Sequence, residues 1–322
     1  VEAGEPGHEN NARRSTHGQG PRAAPKSVDP SFVERLEHLR FAVDGVVDGL
    51  FTGLHKSRRR GGGLVFAEHR PYRHGDDPRT IDWRAFARSD HHRVKHFEHE
   101  AQLRAVLALD LSGSMLYGGP AFVATKVGYA ATLLGAAAEV LLRQGDAAGV
   151  ALFSTQLTRW IPPRGGQAHV RALLEVLATP PEPGTPTRLS TSIQELAERA
   201  HKHGAIMLAS DCLDFDEEAL RGLSRLSSRG HRVCLLHVLH QDELRLPFKE
   251  PVRFLGTEGE LPIEADPRLL RDAYLREIEA FRARIQAACA TAGARYVLAS
   301  TERPLHEVLR EALAPEGGSR WA

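Results

Sequence analysis

Residues 105–115 read Ala105-Val-Leu-Ala-Leu-Asp110-Leu-Ser112-Gly-Ser114-Met115, an apolar run that ends on a carboxylate followed by two hydroxyls at alternate positions. The run has the length and composition of a β-strand that is buried on both faces. Asp110 is therefore predicted to stand at the carboxyl end of this strand, where ligands bind in open α/β sheets. Asp110, Ser112 and Ser114 offer hard oxygen donors. They are candidate ligands of Mg²⁺ or Mn²⁺, which prefer such donors and keep bound waters.

A second apolar run, residues 205–210, repeats this design and is followed by Asp211. It predicts that Asp211 lies at the same edge of the sheet. Between the two runs, a loop leads into a predicted helix and carries two threonines that could reach this edge, Thr187 and Thr185. A single aspartate at a strand end is often only a helix cap or a turn former. The order Asp, Ser, Ser, Thr, Asp is difficult to obtain from capping alone, so these side chains are predicted to form one site.

Strands and helices alternate beyond residue 104, which predicts an α/β fold with a mostly parallel sheet and helices on both of its faces. The predicted strands lie near 105–110, 148–153, 157–161, 205–210, 232–239 and 294–299. The predicted helices lie near 121–143, 167–178, 190–202, 216–228, 267–291 and 303–313. Residues 157–161 closely follow the preceding strand and are predicted to pair with it in an antiparallel hairpin.

The hydrophobic pattern divides the chain into four parts. Residues 1–30 contain too few apolar side chains to offset chain entropy and are predicted to be a disordered tail. Residues 31–104 are predicted to hold a short amphipathic helix and a basic, partly β region that packs on the main domain. The main α/β domain is predicted at 105–315, with a flexible tail at 316–322.

Composition limits the classes of function. The 322 residues carry a formal net charge of +1, so no overall field favours nucleic acid or an anionic membrane as a partner. The three cysteines share no metal-ligand spacing and leave an odd thiol, which favours a reducing compartment. The longest uncharged apolar segment, residues 127–138, is shorter than the roughly 20 residues of a membrane span. We therefore expect a cytoplasmic protein without a membrane span.

Two stretches resemble known families. Residues 110–115, Asp-Leu-Ser-Gly-Ser-Met, are similar to the Asp-x-Ser-x-Ser metal-ion-dependent adhesion site of von Willebrand factor A domains. Residues 75–83, Gly-Asp-Asp-Pro-Arg-Thr-Ile-Asp-Trp, resemble the signature that precedes this site in the bacterial "domain of unknown function 58" family. The resemblance implies a von Willebrand factor A-like, Rossmann-like fold. It also implies a cytosolic protein that binds partners and acts with a MoxR-type AAA+ ATPase in protein maturation or remodelling.

The resemblance also implies a ligand set. Asp110, Ser112 and Ser114 match the first motif, Thr187 matches the middle position with Thr185 as its rival, and Asp211 matches the last. Such a set supplies too few ligands to saturate the metal, which leaves a coordination position for a carboxylate of a partner protein.

A Mg²⁺-dependent phosphohydrolase that uses Asp110 and Asp211 is the alternative, because Asp214 and Asp216 follow closely and could crowd the same edge. No glycine-rich phosphate cradle follows any predicted strand, and position 112 offers no second carboxylate. The sequence therefore favours a non-enzymatic adaptor over the hydrolase.

Three further clusters have simpler structural interpretations. Charged and aromatic residues of the family signature are either a partner surface or, more economically, a neutralised turn anchored by a tryptophan: Asp76, Asp77, Arg79, Asp82, Trp83 and Arg88. The histidines at 91, 92, 96 and 99 lack a zinc-ligand spacing and are predicted to lie on a solvated strand. The basic run 56–60 lacks interleaved aromatic residues and is predicted to be a solvated or protein-docking loop, so no nucleic-acid partner is expected.

Overall fold

The computed structural model describes residues 30–54, 65–71, 93–98, 102–258 and 261–314. Side chains are described at 30–51, 102–258 and 261–314. Several predictions fall outside these ranges. They concern most of the tail 1–30, the tail 316–322, the basic run 56–60, the signature residues Asp76 to Arg88, and the side chains of the histidine cluster.

Within the described residues, eight α-helices alternate with the strands. In chain order they are α1 (Pro30–Leu54), α2 (Lys126–Arg143), α3 (His169–Leu177), α4 (Leu189–Arg199), α5 (Glu217–Ser228), α6 (Gln241–Arg245), α7 (Pro267–Ala292) and α8 (Leu305–Ala312). Short 3₁₀ turns span Gly113–Leu116 and Phe122–Ala124. No helix in this part of the chain has the length and hydrophobicity needed to cross a bilayer.

The described strands form one six-stranded main sheet and two antiparallel two-stranded sheets. The strands are β1 (Val65–Pro71), β2 (Arg93–Glu98), β3 (Arg104–Asp110), β4 (Ala147–Phe153), β5 (Leu157–Arg164), β6 (Ala205–Ser210), β7 (Arg232–Leu239), β8 (Val252–Phe254), β9 (Ile263–Ala265) and β10 (Arg295–Ser300). β1 pairs with β2, and β8 pairs with β9. The main sheet has the order β10-β7-β6-β3-β4-β5, and within it only β5 is antiparallel to its neighbour.

This strand order creates a crevice at the carboxyl edge of the sheet. The chain builds outward from β3 through β4 to β5, then returns to the other side of β3 and builds outward again through β6 and β7 to β10. That is the order of doubly wound sheets, whose ligands bind where the direction of building reverses. Here the reversal lies between β3 and β6. The parallel register pairs Leu109 with Ala209, so the two strands end level with each other.

Helices cover both faces of the main sheet, as the alternation of elements predicts. Side chains from α1, α2, α3 and α8 pack with Leu107 and Leu109 of β3 in one core. Side chains from α4, α5 and α7 pack with Val106 and Ala108 in the other. Alternate residues of the same strand thus serve opposite cores, which explains why the strand reads as a continuous apolar run.

Helix α2 lies in the middle of the first core and is buried on every side. All its residues from Lys126 to Leu142 are buried. A helix that is apolar all round needs cover on its outer face as well, and α1 provides part of that cover through Leu39, Val43 and Val47. A Cβ on Gly135 would lie 2.8 Å from Cγ2 of Val43, so this glycine allows the two helices to approach closely.

Some boundaries differ from those that the sequence predicts. Helix α1 extends to Leu54 and is longer than the short helix predicted, because Val46, Val47 and Leu50 extend its buried stripe. Helix α2 begins at Lys126 rather than near 121, because the Thr125 side chain caps it by accepting a hydrogen bond from the N–H of Gly128. The short helix α6 and the hairpin β8–β9 have no counterpart in the predicted elements. Both are too short to show a hydrophobic period.

Candidate metal centre

The carboxylate of Asp110 joins the ends of the two central strands. Asp110 is the last residue of β3 and is fully buried. Its Oδ1 accepts a hydrogen bond from the N–H of Ser112 at 2.8 Å, and its Oδ2 accepts one from the hydroxyl of Ser210 at 2.6 Å. Ser210 is the last residue of β6. The carboxylate of the predicted site therefore lies at the reversal point of the sheet, between β3 and β6.

The two serine hydroxyls of the motif meet beside this carboxylate. The turn Gly113–Leu116 follows Ser112, and the Oγ atoms of Ser112 and Ser114 lie 3.0 Å apart, both on buried residues. Adjacent ligands of an octahedral Mg²⁺, with bonds of about 2.1 Å, lie about 3.0 Å apart. The two hydroxyls are hydrogen-bonded to each other, at a spacing that also suits two neighbouring ligands of this ion.

The charge on Asp110 is costly in its surroundings. Burial, followed by the negative charge of Asp211, raises the pKa of Asp110 to about 7, although hydrogen bonds from Ser210 and Ser112 act in the opposite direction. A nearby cation favours the ionised form of a carboxyl group. A divalent ion at this point would relieve both the desolvation and the repulsion, so the donor chemistry fits a metal.

The side chain of Asp211 already has a cationic partner. Its Oδ2 accepts a hydrogen bond from Nζ of Lys126 at 2.8 Å, and the same Nζ lies 2.8 Å from Oε1 of Glu243. Lys126 is 1 % exposed. Burial alone would lower the pKa of Lys126, but the charges of Asp211 and Glu243 and their hydrogen bonds outweigh it and raise the pKa above its ordinary value. The lysine is therefore a fixed positive charge beside the predicted metal site.

Sequence reasoning did not single out Lys126, although the chain carries a signal for it. Lys126 is the first residue of α2, and the positive end of a helix dipole disfavours a lysine at that position. A lone lysine there, followed by the uncharged apolar residues 127–138, indicates carboxylates close by in the fold. The sequence does not indicate that one of them is Asp211.

A buried histidine holds the backbone of Asp211. Nε2 of His237 lies 3.1 Å from the carbonyl oxygen of Asp211, and Nδ1 lies 3.0 Å from the hydroxyl of Tyr296. Because a carbonyl oxygen can only accept, Nε2 carries the proton and Nδ1 accepts from Tyr296. Burial lowers the pKa of His237 to about 4, so the ring is neutral at physiological pH.

The two threonines of the loop before α4, Thr187 and Thr185, have different contacts. The carbonyl oxygen of Thr185 accepts a hydrogen bond from the N–H of Gly113 at 2.8 Å, which ties this loop to the Asp-x-Ser-x-Ser turn. Thr187 is buried, and its Oγ1 lies 3.5 Å from Oε1 of Glu258. Glu258 was not predicted as a site residue. It lies in the segment between β8 and β9, which the sequence pattern left without an element.

The other two predicted carboxylates, those of Asp214 and Asp216, accept hydrogen bonds from backbone N–H groups. Oδ2 of Asp214 accepts a hydrogen bond from the N–H of Leu189 at 3.0 Å, and Oδ1 of Asp216 caps α5 by accepting one from the N–H of Ala219. No group of three or more His, Cys, Asp or Glu residues able to hold a metal ion occurs in the described part of the chain. A metal at this edge would therefore depend on hydroxyl ligands, with Asp110 as its anionic ligand.

Comparison with protein families identifies the chain. The family model described as a protein of unknown function, DUF58, matches residues 68–284, which is more than half of the sequence. The chain belongs to the DUF58 family. The match includes the signature at 75–83, so its predicted resemblance to this family is confirmed.

The DUF58 chain has relatives of similar length in mycobacteria. It is 28% identical over 281 residues to an uncharacterized protein of Mycobacterium bovis, covering 85% of this chain and 86% of the relative. The same values relate it to an uncharacterized protein of Mycobacterium tuberculosis.

Among solved structures, similar chains come from Bacteroides. An aerotolerance-related membrane protein from Bacteroides fragilis matches with a TM-score of 0.46 and 18% identity, over 65% of this chain and 96% of that one. The conserved hypothetical protein BatB from Bacteroides thetaiotaomicron matches with a TM-score of 0.42 and 16% identity, over 65% and 96% of the two chains.

Proposed function

We propose that this DUF58 protein is a non-enzymatic adaptor that binds a carboxylate of a partner protein through Mg²⁺ or Mn²⁺. The ion would be held at the carboxyl edge of the sheet by Asp110, Ser112 and Ser114. The observation that carries this proposal is the pair of buried serine hydroxyls, 3.0 Å apart, beside the buried carboxylate of Asp110.

The residues around the site would have different roles in binding the ion. When bound, the divalent ion supplies a positive charge that a partner carboxylate can coordinate. Asp110 gives the direct anionic contact, whereas Asp211 shares Lys126 with Glu243. Together these four side chains carry a net charge of −2, which a divalent ion would neutralise. A partner carboxylate would then be attracted by the open coordination position of the ion. Thr187 is the candidate for the remaining ligand from the protein.

The type of domain and the partner protein are also proposed. The doubly wound strand order and the Asp-x-Ser-x-Ser turn at its reversal point support a von Willebrand factor A-like domain with a metal-ion-dependent adhesion site. By the family resemblance, the partner is a MoxR-type AAA+ ATPase or its client, and the adaptor acts in protein maturation or remodelling in the cytoplasm.

Calorimetric titration of the full chain with MgCl₂ and MnCl₂ tests the metal site. We expect the wild type to bind one divalent ion and the Asp110→Asn variant to lose binding, because asparagine keeps the shape of the side chain without its charge. Ser112→Ala should weaken binding by about tenfold or more, since it removes one ligand. Ser224→Ala is the matched control, because that hydroxyl donates to the carbonyl of Leu220 on α5.

Two results would contradict the proposal. If the wild type binds neither ion at millimolar concentration, or if Asp110→Asn binds as well as the wild type, the metal site is wrong. Metal-dependent turnover of a generic phosphoester that is lost in Asp110→Asn would instead favour the phosphohydrolase.

A further inference from the structure

The segment 255–258, directly after β8, contacts the Asp-x-Ser-x-Ser turn through Thr257. The carbonyl oxygen of Thr257 accepts a hydrogen bond from the N–H of Gly184 at 3.0 Å. The same oxygen lies 2.2 Å from the position that a Cβ on Gly113 would take. Gly113, the residue between the two site serines, must therefore lack a side chain while this segment is in place. The contact fixes where the next residue, Glu258, can put its carboxylate.

Glu258 presents that carboxylate to the predicted threonine ligand. Its Oε2 lies 3.4 Å from the N–H nitrogen of Thr187, and its Oε1 lies 3.5 Å from Oγ1 of Thr187. Both distances are at the long end of the hydrogen-bond range, so these two contacts are weak. A carboxylate from the chain itself thus lies against the same threonine that is the candidate ligand.

The segment can also move at low cost. β8 and β9 contribute three residues each, and a two-stranded hairpin of this size is only marginally stable by itself. Three of its large apolar side chains add little burial, since Leu255 is 68%, Leu261 85% and Ile263 64% exposed, whereas Phe254 is half-buried and contacts Phe248. Displacing the segment would therefore uncover little apolar surface.

We propose that Glu258 is an internal carboxylate ligand of the metal site, which occupies the position that a partner carboxylate must take. This inference rests on the proposed function, because it concerns the same ion and the same coordination position. Binding of the partner then requires the segment 255–258 to move away from Gly113 and Thr187. The chain itself thereby limits access to its own site.

Mn²⁺ binding and water-proton relaxation test this role in the full chain, with acetate as the probe carboxylate. Glu258→Gln removes the charge and keeps a hydrogen-bond acceptor for Thr187. Glu264→Gln, on the exposed face of the same hairpin, is the matched control. We expect Glu258→Gln to bind Mn²⁺ about tenfold more weakly, because it loses an anionic ligand. It should also show a larger relaxation enhancement from the additional bound water and bind acetate about tenfold more tightly than the wild type.

The remaining outcomes separate the two proposals. If all three proteins bind Mn²⁺ and acetate alike, Glu258 is not a ligand, while the metal site stands. If Glu264→Gln changes as much as Glu258→Gln, the effect comes from general charge and the internal ligand is rejected. If the wild type binds no Mn²⁺, the proposed function fails and the internal ligand fails with it.

Discussion

At the scale of single residues, the carboxyl edge brings together charges that are expensive to bury. Asp110 and Asp211 are both fully buried, and Lys126 compensates only the second through its 2.8 Å ion pair. A buried ion pair seldom adds stability compared with apolar residues of the same size, although removing one partner from it is strongly destabilising. The arrangement is more readily explained by ligand binding than by stability, and perturbed carboxyls of this kind cluster at functional sites.

The raised pKa of Asp110 predicts how stability depends on pH. Its pKa is about 7 in the folded, metal-free protein, against an ordinary value of 3.8. Between these values the folded state keeps a proton that the unfolded state has released, so this group reduces stability as the pH rises from about 4 to 7. In EDTA, the stability of Asp110→Asn relative to the wild type should therefore rise with pH over this range, by up to about 1.4 kcal/mol per pH unit.

Urea unfolding at a series of pH values measures this difference. Asp44→Asn, at an exposed position of α1, is the control and should show no such trend. An Asp110→Asn variant whose stability tracks that of the wild type from pH 4 to 7 would mean that the carboxyl of Asp110 is not strained by burial.

At the scale of secondary-structure elements, α1 is part of the first core. Its residues Leu39, Val43 and Val47 are fully buried and belong to the same cluster as β3 and α2. Phe41, on the same helix, is 83% exposed. The helix thus has one face that holds it to α2 and one face in solvent, which is the usual pattern of a surface helix.

This packing predicts contrasting effects of two truncations in α1. Leu39→Ala removes buried methyl groups and should lower the free energy of unfolding by about 2–5 kcal/mol. Phe41→Ala should change it by less than about 0.5 kcal/mol, because an exposed side chain loses little on truncation. Chemical denaturation of both variants provides the measurement. Equal, small effects would show that α1 does not contribute to the core in solution.

At the scale of the whole molecule, the topology gathers distant loops at one edge. The turn after β3 contacts the loop before α4 and the residues after β8, through Gly113, Thr185 and Thr257. Thr187 contacts Glu258, and Asp211, the residue after β6, acts on Asp110 through its charge. Strands buried on both faces form a rigid base for these loops. Functional side chains are commonly presented in this way.

The whole-molecule proposal predicts a chelator-sensitive association with a MoxR-type ATPase. In a pulldown with the purified ATPase, EDTA and Ser112→Ala should each weaken capture, because both remove or loosen the bridging ion. Ser224→Ala should leave capture unchanged. Moderate salt should have a smaller effect than EDTA, since a direct bond between metal and carboxylate is screened less than surface ion pairs. Capture that is indifferent to EDTA and to Ser112→Ala would rule out a metal-bridged contact.

The sequence by itself determined the alternation of strands and helices, and with it the edge at which Asp110, Ser112, Ser114 and Asp211 lie. This was possible because the pattern of apolar residues reports burial within each element. Glycine, proline and capping residues between the apolar runs also mark where each element ends. The sequence was also enough to recognise the family signature at 75–83, because this signature is a continuous stretch whose residues can be compared position by position.

The tertiary structure alone decided which charges meet at this edge. Lys126 and Asp211 are 85 residues apart in the chain, and Thr187 and Glu258 are 71 residues apart. The length of α1 and its place over α2 also depended on contacts with distant residues. Hydrophobic periodicity extends over one element only, so it contains no information on pairs of side chains that come together through the packing of the sheet.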